Sequence, residues 1–158
     1  MFDDLALAHA IHVVALVHWI GGLSAVTTII LPRARALLDA KDAVAAFEAF
    51  ERRFAKQVRV SILLVGLSGF YMIMKLDGWD RFVHASFWWL DLMVVVWVLF
   101  ALMVYILEPF VMHRLFHNLA LREKHRAFAL ATRLHVIAPC VSAFTIAAGV
   151  LGLLGSLP

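Results

Sequence analysis

Long apolar stretches dominate the chain and are separated by short charged segments. Leu5 to Pro32 contains 28 residues without a formally charged side chain, whereas an α-helix needs about 20 apolar residues to cross a bilayer. Val60 to Met74 is a shorter uncharged stretch, and the aliphatic stems of Lys56, Arg59 and Lys75 can reach the interfaces and complete the span. Two further stretches are apolar: Phe82 to Met112, apart from His84, Asp91 and Glu108, and Leu134 to the end of the sequence. The pattern predicts one transmembrane domain over residues 1–158, an all-α four-helix bundle with helices over about 5–32, 56–75, 82–112 and 130–155.

The composition agrees with an integral membrane protein. Hydrophobic residues make up 64% of the chain and charged residues 16%, whereas a soluble domain has about 45–50% and about 25%. The net charge is +3, but the basic residues flank the apolar stretches. They therefore indicate a membrane surface and no nucleic-acid partner. The single cysteine, Cys140, excludes an intramolecular disulfide and a zinc site built from cysteines.

The distribution of lysine and arginine predicts the orientation in the membrane. Twelve of the 14 lie in the first and third connections, whereas the second connection holds Lys75 and Arg81 and the termini hold none. Because positive charge marks cytoplasmic loops, both termini are predicted to be non-cytoplasmic, in a bacterial-type inner membrane. The acidic start, Asp3 and Asp4, is unlike a secretory signal peptide, so the first stretch is predicted to be retained.

The first cytoplasmic connection contains an amphipathic pattern. Ala43, Phe47, Phe50 and Phe54 recur at steps of four, three and four residues, which places them on one face of a helix. The pattern predicts an amphipathic helix that either lies on the inner leaflet or extends helix two.

Ionisable side chains inside the apolar stretches are the candidate functional residues, because they are costly in hydrocarbon and usually face the bundle interior. The predicted topology sorts them by depth into an outer group, His9, His12, His84 and Asp91, and an inner group, Glu108, His113 and His135. The inner group, together with Arg59, is a candidate second redox or proton site, with His113 and His135 as its candidate metal ligands.

Helix one presents His12 beside a stripe of small residues. At about 100° per residue, His12 and Trp19 share one face, next to Ala8, Ala15 and Gly22. A large flat ligand could lie against this stripe, with Trp19 and Gly22 in contact with it. The same stripe is also typical of a helix-packing seam, so both interpretations stay open.

Helix three carries a second histidine at a similar predicted depth. His84 and Asp91 share a face by the same helical arithmetic, so Asp91 could accept a hydrogen bond from a liganding imidazole or exchange protons. Two neutral imidazoles facing each other across a bundle suit the axial ligation of b-type haem. We therefore predict His12 as the first ligand and His84 as the second, with His9 as a further candidate.

Several motifs resemble known membrane families. Helix one resembles that of the copper resistance protein D family, through His12, Trp19, Gly21-Gly22 and Leu31-Pro32. Other segments are similar to the related HemJ-type protoporphyrinogen oxidases: Glu51-Arg52-Arg53-Phe54, Gly66, Gly69, Gly78-Trp79 and His84-Ala85. Both resemblances imply a four-helix membrane bundle, and the HemJ type implies b-type haem held by a histidine of helix one, here His12. The HemJ type has a lysine where this chain has His84-Ala85-Ser86, so strict protoporphyrinogen oxidase activity is not part of the prediction.

The predicted function is a haem-b-binding membrane oxidoreductase or electron-transfer protein, with the lipid bilayer and a quinone or redox protein as candidate partners. Two other functions stay open. The copper resistance family suggests a copper-binding or copper-import protein, although Cu(I) favours Met and Cys ligands, and the methionines gather at no single site. The third is a cofactor-free accessory subunit whose histidines bond to one another. Three glycines at steps of three make a homo-oligomer a candidate: Gly149, Gly152 and Gly155.

Overall fold

The computed structural model describes residues 3–36 and 43–155; within these ranges the side chains of residues 35, 43, 44, 111–113, 115–117, 120, 121 and 124 are not described. All regular structure in these ranges is helical. The elements in chain order are α1 (Asp4–Ala25), a π-helical segment (Val26–Ile30), α2 (Leu31–Ala36), α3 (Ala43–Lys75), two 3₁₀ turns (Trp79–Val83 and Ala85–Phe87), α4 (Trp88–Leu102), a second π-helical segment (Met103–Met112) and α5 (His113–Gly155).

Four helical stretches are long and apolar enough to cross a membrane: Asp4–Ala34, Ala45–Lys75, Ala85–Phe110 and His125–Gly155. Large hydrophobic side chains stay exposed along them, among them Val14 at 68%, Leu67 at 60% and Phe144 at 64%. The surface of a soluble protein rarely exposes this much apolar area, whereas the lipid-facing surface of a membrane protein commonly does. The predicted all-helical fold is confirmed for this part of the chain, and its four long apolar helices are those of a multi-pass membrane protein by length and composition.

The amphipathic segment extends helix two. α3 begins at Ala43 and not at residue 56, so the segment and the predicted helix are continuous. Phe47 is only 3% exposed and packs against Phe128 of α5, with ring centroids 4.9 Å apart. Its apolar face therefore lies on other helices of the bundle, which periodicity alone does not reveal. The side chain of Ala43 lies outside the described residues.

The connection between α3 and α4 is longer than the sequence predicts. α3 ends in a capped turn in which Asp77 has a φ of 47°, a conformation that aspartate tolerates, and the Gly78 N–H donates to the Ile73 carbonyl at 3.0 Å. Two 3₁₀ turns follow, separated by His84 in extended backbone (φ −106°, ψ 119°). The α-helix therefore begins at Trp88 and not at residue 82, because apolar character does not distinguish a helix from an apolar turn.

The third and fourth predicted helices are joined by helical backbone. α5 runs from His113 to Gly155, and its backbone leaves helical geometry at Glu123 (φ −143°, ψ 71°). Each π-helical segment is associated with a proline: Pro32 lies just after the first, and Pro109 lies inside the second. A proline removes a helical hydrogen bond and its ring clashes with the preceding turn, which π-type turns accommodate.

α1 and α3 are antiparallel and have the most extensive contact of any two helices in the described ranges. At one end, Asp4 Oδ2 accepts hydrogen bonds from Tyr71 Oη at 2.6 Å and from Lys75 Nζ at 2.8 Å. Toward the other end, Gly22 of α1 faces the ring of Phe54. The core between these contacts combines buried residues of α1, α3 and α4: Ala15, Trp19, Leu23, Val58, Ile62, Val65, Val96 and Phe100.

Glycines allow large side chains of neighbouring helices to approach the backbone. Trp97 of α4 lies directly over Gly66 of α3, and its Nε1 donates to the Ile62 carbonyl at 2.9 Å. Gly149 and Gly152 of α5 receive side chains of α4 in the same way. These two glycines are therefore used inside the bundle, and an oligomer that packs through α5 stays a prediction.

Candidate functional site

His12 is held against α3 by a hydrogen bond that defines its tautomer. Its Nδ1 lies 2.9 Å from Ser68 Oγ, and Ser68 Oγ lies 2.6 Å from the Leu64 carbonyl. A serine has one hydroxyl proton, and only a donor can face a carbonyl. Ser68 therefore donates to Leu64 and accepts from the His12 Nδ1–H. In the neutral imidazole, the lone pair is then on Nε2, which is the atom available to a ligand.

The His12 ring fits because the next residue of α3 has no side chain. A Cβ at Gly69 would lie 3.4 Å from His12 Cε1, so the ring edge rests on the glycine. Ser68 is 7% exposed, and His12 is half-buried. Sequence reasoning missed Ser68, although a hydroxyl next to a glycine inside the apolar stretch 60–74 was a readable signal.

His84 lies apart from the position that the sequence predicts. His12 lies inside the bundle, eight residues or about 12 Å along α1 from Asp4. His84 is exposed and lies in the connection between α3 and α4. No hydrogen bond in the described part of the chain joins these two histidines. The expected alignment assumed helix from residue 82, but the backbone at His84 is extended. His84 as the second axial ligand stays a prediction.

Asp91 and His9 are placed near the same end of the bundle. Asp91 is half-buried in the first turn of α4 and forms no hydrogen bond or ion pair with residues 3–36 or 43–155. The Nδ1 of His12 faces Ser68, and a hydrogen bond from a liganding imidazole to Asp91 stays a prediction. His9 is exposed, one helical turn before His12.

Trp19 and Gly22 lie in the packed interior. Trp19 is 4% exposed and meets Phe100 edge to face, with ring centroids 4.7 Å apart. Its Nε1 has no hydrogen-bond partner within the described ranges, and a buried N–H left unpaired costs about 1–3 kcal/mol. A Cβ at Gly22 would lie 2.6 Å from Phe54. In this structure, α3 therefore packs on the stripe of small residues, with the Phe54 ring covering Gly22.

Three residues of the inner site have described contacts: Arg59, Glu108 and His135. Arg59 forms an ion pair with Glu108, and its Nε donates to the Val104 carbonyl at 3.2 Å. His135 is half-buried; its Nδ1 donates to the Ala131 carbonyl at 2.9 Å, so its Nε2 also carries the lone pair when neutral. The structure thus brings Arg59 and Glu108 together, as the sequence suggested. The side chain of His113 lies outside the described residues, so the second metal site stays a prediction.

The described part of the chain contains no metal site built from several side chains. There, no group of three or more His, Cys, Asp or Glu side chains could hold a metal ion. A haem iron needs only one or two side chains, because the porphyrin supplies its equatorial nitrogens. Of the cofactors predicted from the sequence, haem is therefore the one that a single histidine can hold.

Comparisons with known proteins do not assign the chain to a family. No family model, curated protein or solved structure matches the chain. Its function is therefore inferred from its own side chains.

The donor chemistry at His12 fits a haem ligand. The Nε2 is free of the Ser68 hydrogen bond, and the ring is fixed between two helices. The unpaired Nε1 of Trp19 lies seven residues further along α1, or about 10 Å, on the same helical face. The Nε1 of Trp89 is likewise buried without a partner in the described ranges, so the contact of Trp19 with a cofactor stays a prediction. The exposed His84 does not share this setting.

Proposed function

We propose that this protein is a haem-b-binding membrane protein of oxidoreductase or electron-transfer type, with His12 as an axial ligand of the iron through Nε2. The observation that supports the proposal is the hydrogen bond from His12 Nδ1 to Ser68. Metal-binding histidines donate their other ring N–H to an acceptor, which fixes the ring orientation and raises the basicity of the ligating nitrogen. When bound, a b-type haem supplies one-electron exchange at its iron.

The surrounding residues have separate tasks in this proposal. Ser68 positions the imidazole, and the Leu64 carbonyl fixes the direction of the Ser68 hydroxyl. Asp91, half-buried and without an ion-pair partner among the described side chains, is the candidate group for proton exchange at the Asp4 end of the bundle.

We also propose that both termini are non-cytoplasmic and that the membrane is of the bacterial inner type. The support is the concentration of lysine and arginine in the first and third connections. Reporter fusions test this orientation. Alkaline phosphatase fused after residue 155 is expected to be active and green fluorescent protein there dark, with the reverse result for fusions after residue 40. Fluorescence at residue 155 would overturn the orientation.

The haem proposal is tested by the absorbance spectrum of the purified full chain from haem-replete cells. We expect a Soret band, and a pyridine haemochrome spectrum of the b type. Metal analysis of the same sample should find iron and no stoichiometric copper. A colourless preparation would overturn the proposal and leave only the membrane topology.

A further inference from the structure

A groove of about 590 Å³ lies between α1 and α3, apart from the His12–Ser68 contact. Its walls are alanine, valine, isoleucine and leucine side chains of both helices, and its polar lining residues are His18, Gln57 and Ser61. Val14 and Val60 on its walls are 68% and 58% exposed, so the groove opens onto the lipid-facing surface. A molecule dissolved in the bilayer can enter it sideways.

Ser61 is an exception among the buried hydroxyls of this protein. Ser68, Ser142 and Thr145 each donate to the carbonyl four residues earlier, as hydroxyls in membrane helices commonly do. Ser61 is 4% exposed and forms no hydrogen bond with any described residue. Its hydroxyl is therefore available to bond to a molecule in the groove, which Ser61 lines. A ligand with a suitable oxygen would satisfy it.

Gln57 and His18 bring further polar atoms to the same groove from both helices. Gln57 is one helical turn from Ser61 on the same face of α3, and His18 lines the groove from α1. Both are exposed within the candidate membrane spans, where polar groups facing lipid are costly and commonly functional. A mostly apolar pocket with a few convergent polar groups is the usual form of a small-molecule site.

We propose that this groove binds the head group of a membrane-soluble quinone. Its carbonyl oxygens would accept hydrogen bonds from the Ser61 hydroxyl and the Gln57 amide, with His18 facing the ring and the apolar tail along Val14. The volume lies within the range of about 300–1,000 Å³ that is typical of ligand pockets. The choice of a quinone over another amphipathic molecule rests on the proposed redox function, whereas binding itself requires no haem.

A photolabelling experiment tests the groove in the full chain. The protein is reconstituted in nanodiscs of phosphatidylethanolamine and phosphatidylglycerol and labelled with an azido derivative of decylubiquinone, and labelled peptides are mapped by mass spectrometry. The variants are Ser61→Ala, which removes one oxygen only, and the double variant Ser61→Ala with Gln57→Leu. Ser142→Ala is the matched control, because it removes a buried hydroxyl that is already bonded within α5.

We expect labels at residues 10–18 and 57–64, abolished by excess unlabelled decylubiquinone. Labelling should fall about tenfold in the double variant, which is the effect of losing well-formed hydrogen bonds, fall less in Ser61→Ala, and stay unchanged in Ser142→Ala. Labelling spread over all lipid-facing helices, or a groove label that competitor and variants do not change, would overturn the proposal and assign the groove to a lipid chain. Haem content of the same samples is measured separately, so competed labelling of a haem-free protein contradicts only the haem proposal.

Discussion

Ser68 Oγ accepts a hydrogen bond from His12 Nδ1 at 2.9 Å and so fixes the imidazole of α1 on α3. The serine lies seven residues before the end of α3, and the histidine eight residues after the start of α1. Both therefore lie well inside the spans, where an imidazole without a partner would be unfavourable. The contact leaves Nε2 as the reactive atom of His12, on which the proposed haem ligation depends.

Ser68→Ala is expected to weaken haem binding without abolishing it. The substitution removes the acceptor of the His12 Nδ1–H, and loss of such a supporting partner lowers affinity about tenfold to hundredfold. Ser68→Thr retains the hydroxyl and should restore affinity. Haem titration of the apoprotein, followed at the Soret band, measures the dissociation constant, with Ser142→Ala as the control. Equal affinities in Ser68→Ala and Ser142→Ala would show that the hydrogen bond does not position a haem ligand.

The adjacent glycines of α1 should respond oppositely to alanine. A Cβ at Gly22 would lie 2.6 Å from Phe54, whereas a Cβ at Gly21 has no heavy atom within 4 Å. Gly22→Ala should lower the free energy of unfolding by about 1–3 kcal/mol through overpacking. Gly21→Ala should leave it unchanged or raise it by up to about 1 kcal/mol through helix propensity.

Thermal unfolding in one detergent measures both glycine variants. The double variant Gly22→Ala with Phe54→Leu should recover part of the loss, because the shorter side chain vacates the space. Equal midpoints for Gly21→Ala and Gly22→Ala would contradict the close contact between α1 and α3.

Arg59 and Glu108 are expected to be energetically coupled. Their side chains are 30% and 22% exposed, so neutralising one leaves the other charged in a poorly solvated place. Arg59→Met and Glu108→Gln should each destabilise the protein by about 1–3 kcal/mol, less than for a fully buried pair. The double variant should cost less than the sum of the two. Unfolding by titration with sodium dodecyl sulfate measures all three, and strictly additive effects would contradict the coupling.

The four spans could be predicted because hydrocarbon imposes a simple rule, a run of about 20 apolar residues. Their bounds were predicted only in part. Helix two starts at Ala43, as one of the two interpretations of the amphipathic segment predicted, but the contact of Phe47 with Phe128 has no trace in local periodicity. Helix three starts at Trp88, because the apolar residues before it form 3₁₀ turns.

Only the part of the candidate site whose side chain is by itself unfavourable in hydrocarbon could be predicted. His12 is an imidazole inside an apolar stretch, and its chemical cost indicated a function. Ser68 was not predicted because a serine is readily accommodated in a membrane helix, where its hydroxyl bonds to a carbonyl of its own helix. Its pairing with His12 depends on the register of α1 against α3. His84 was aligned with Asp91 on the assumption of continuous helix, which the extended backbone at His84 removes.

The haem content of purified His12→Ala decides whether His12 holds the iron. His125→Ala is the control, because His125 is exposed on α5. Both variants must elute from size exclusion as the wild type does. We expect His12→Ala to lose the Soret band and His125→Ala to keep the wild-type ratio of haem to protein. A His12→Ala preparation with wild-type haem content and an unchanged spectrum would contradict this expectation.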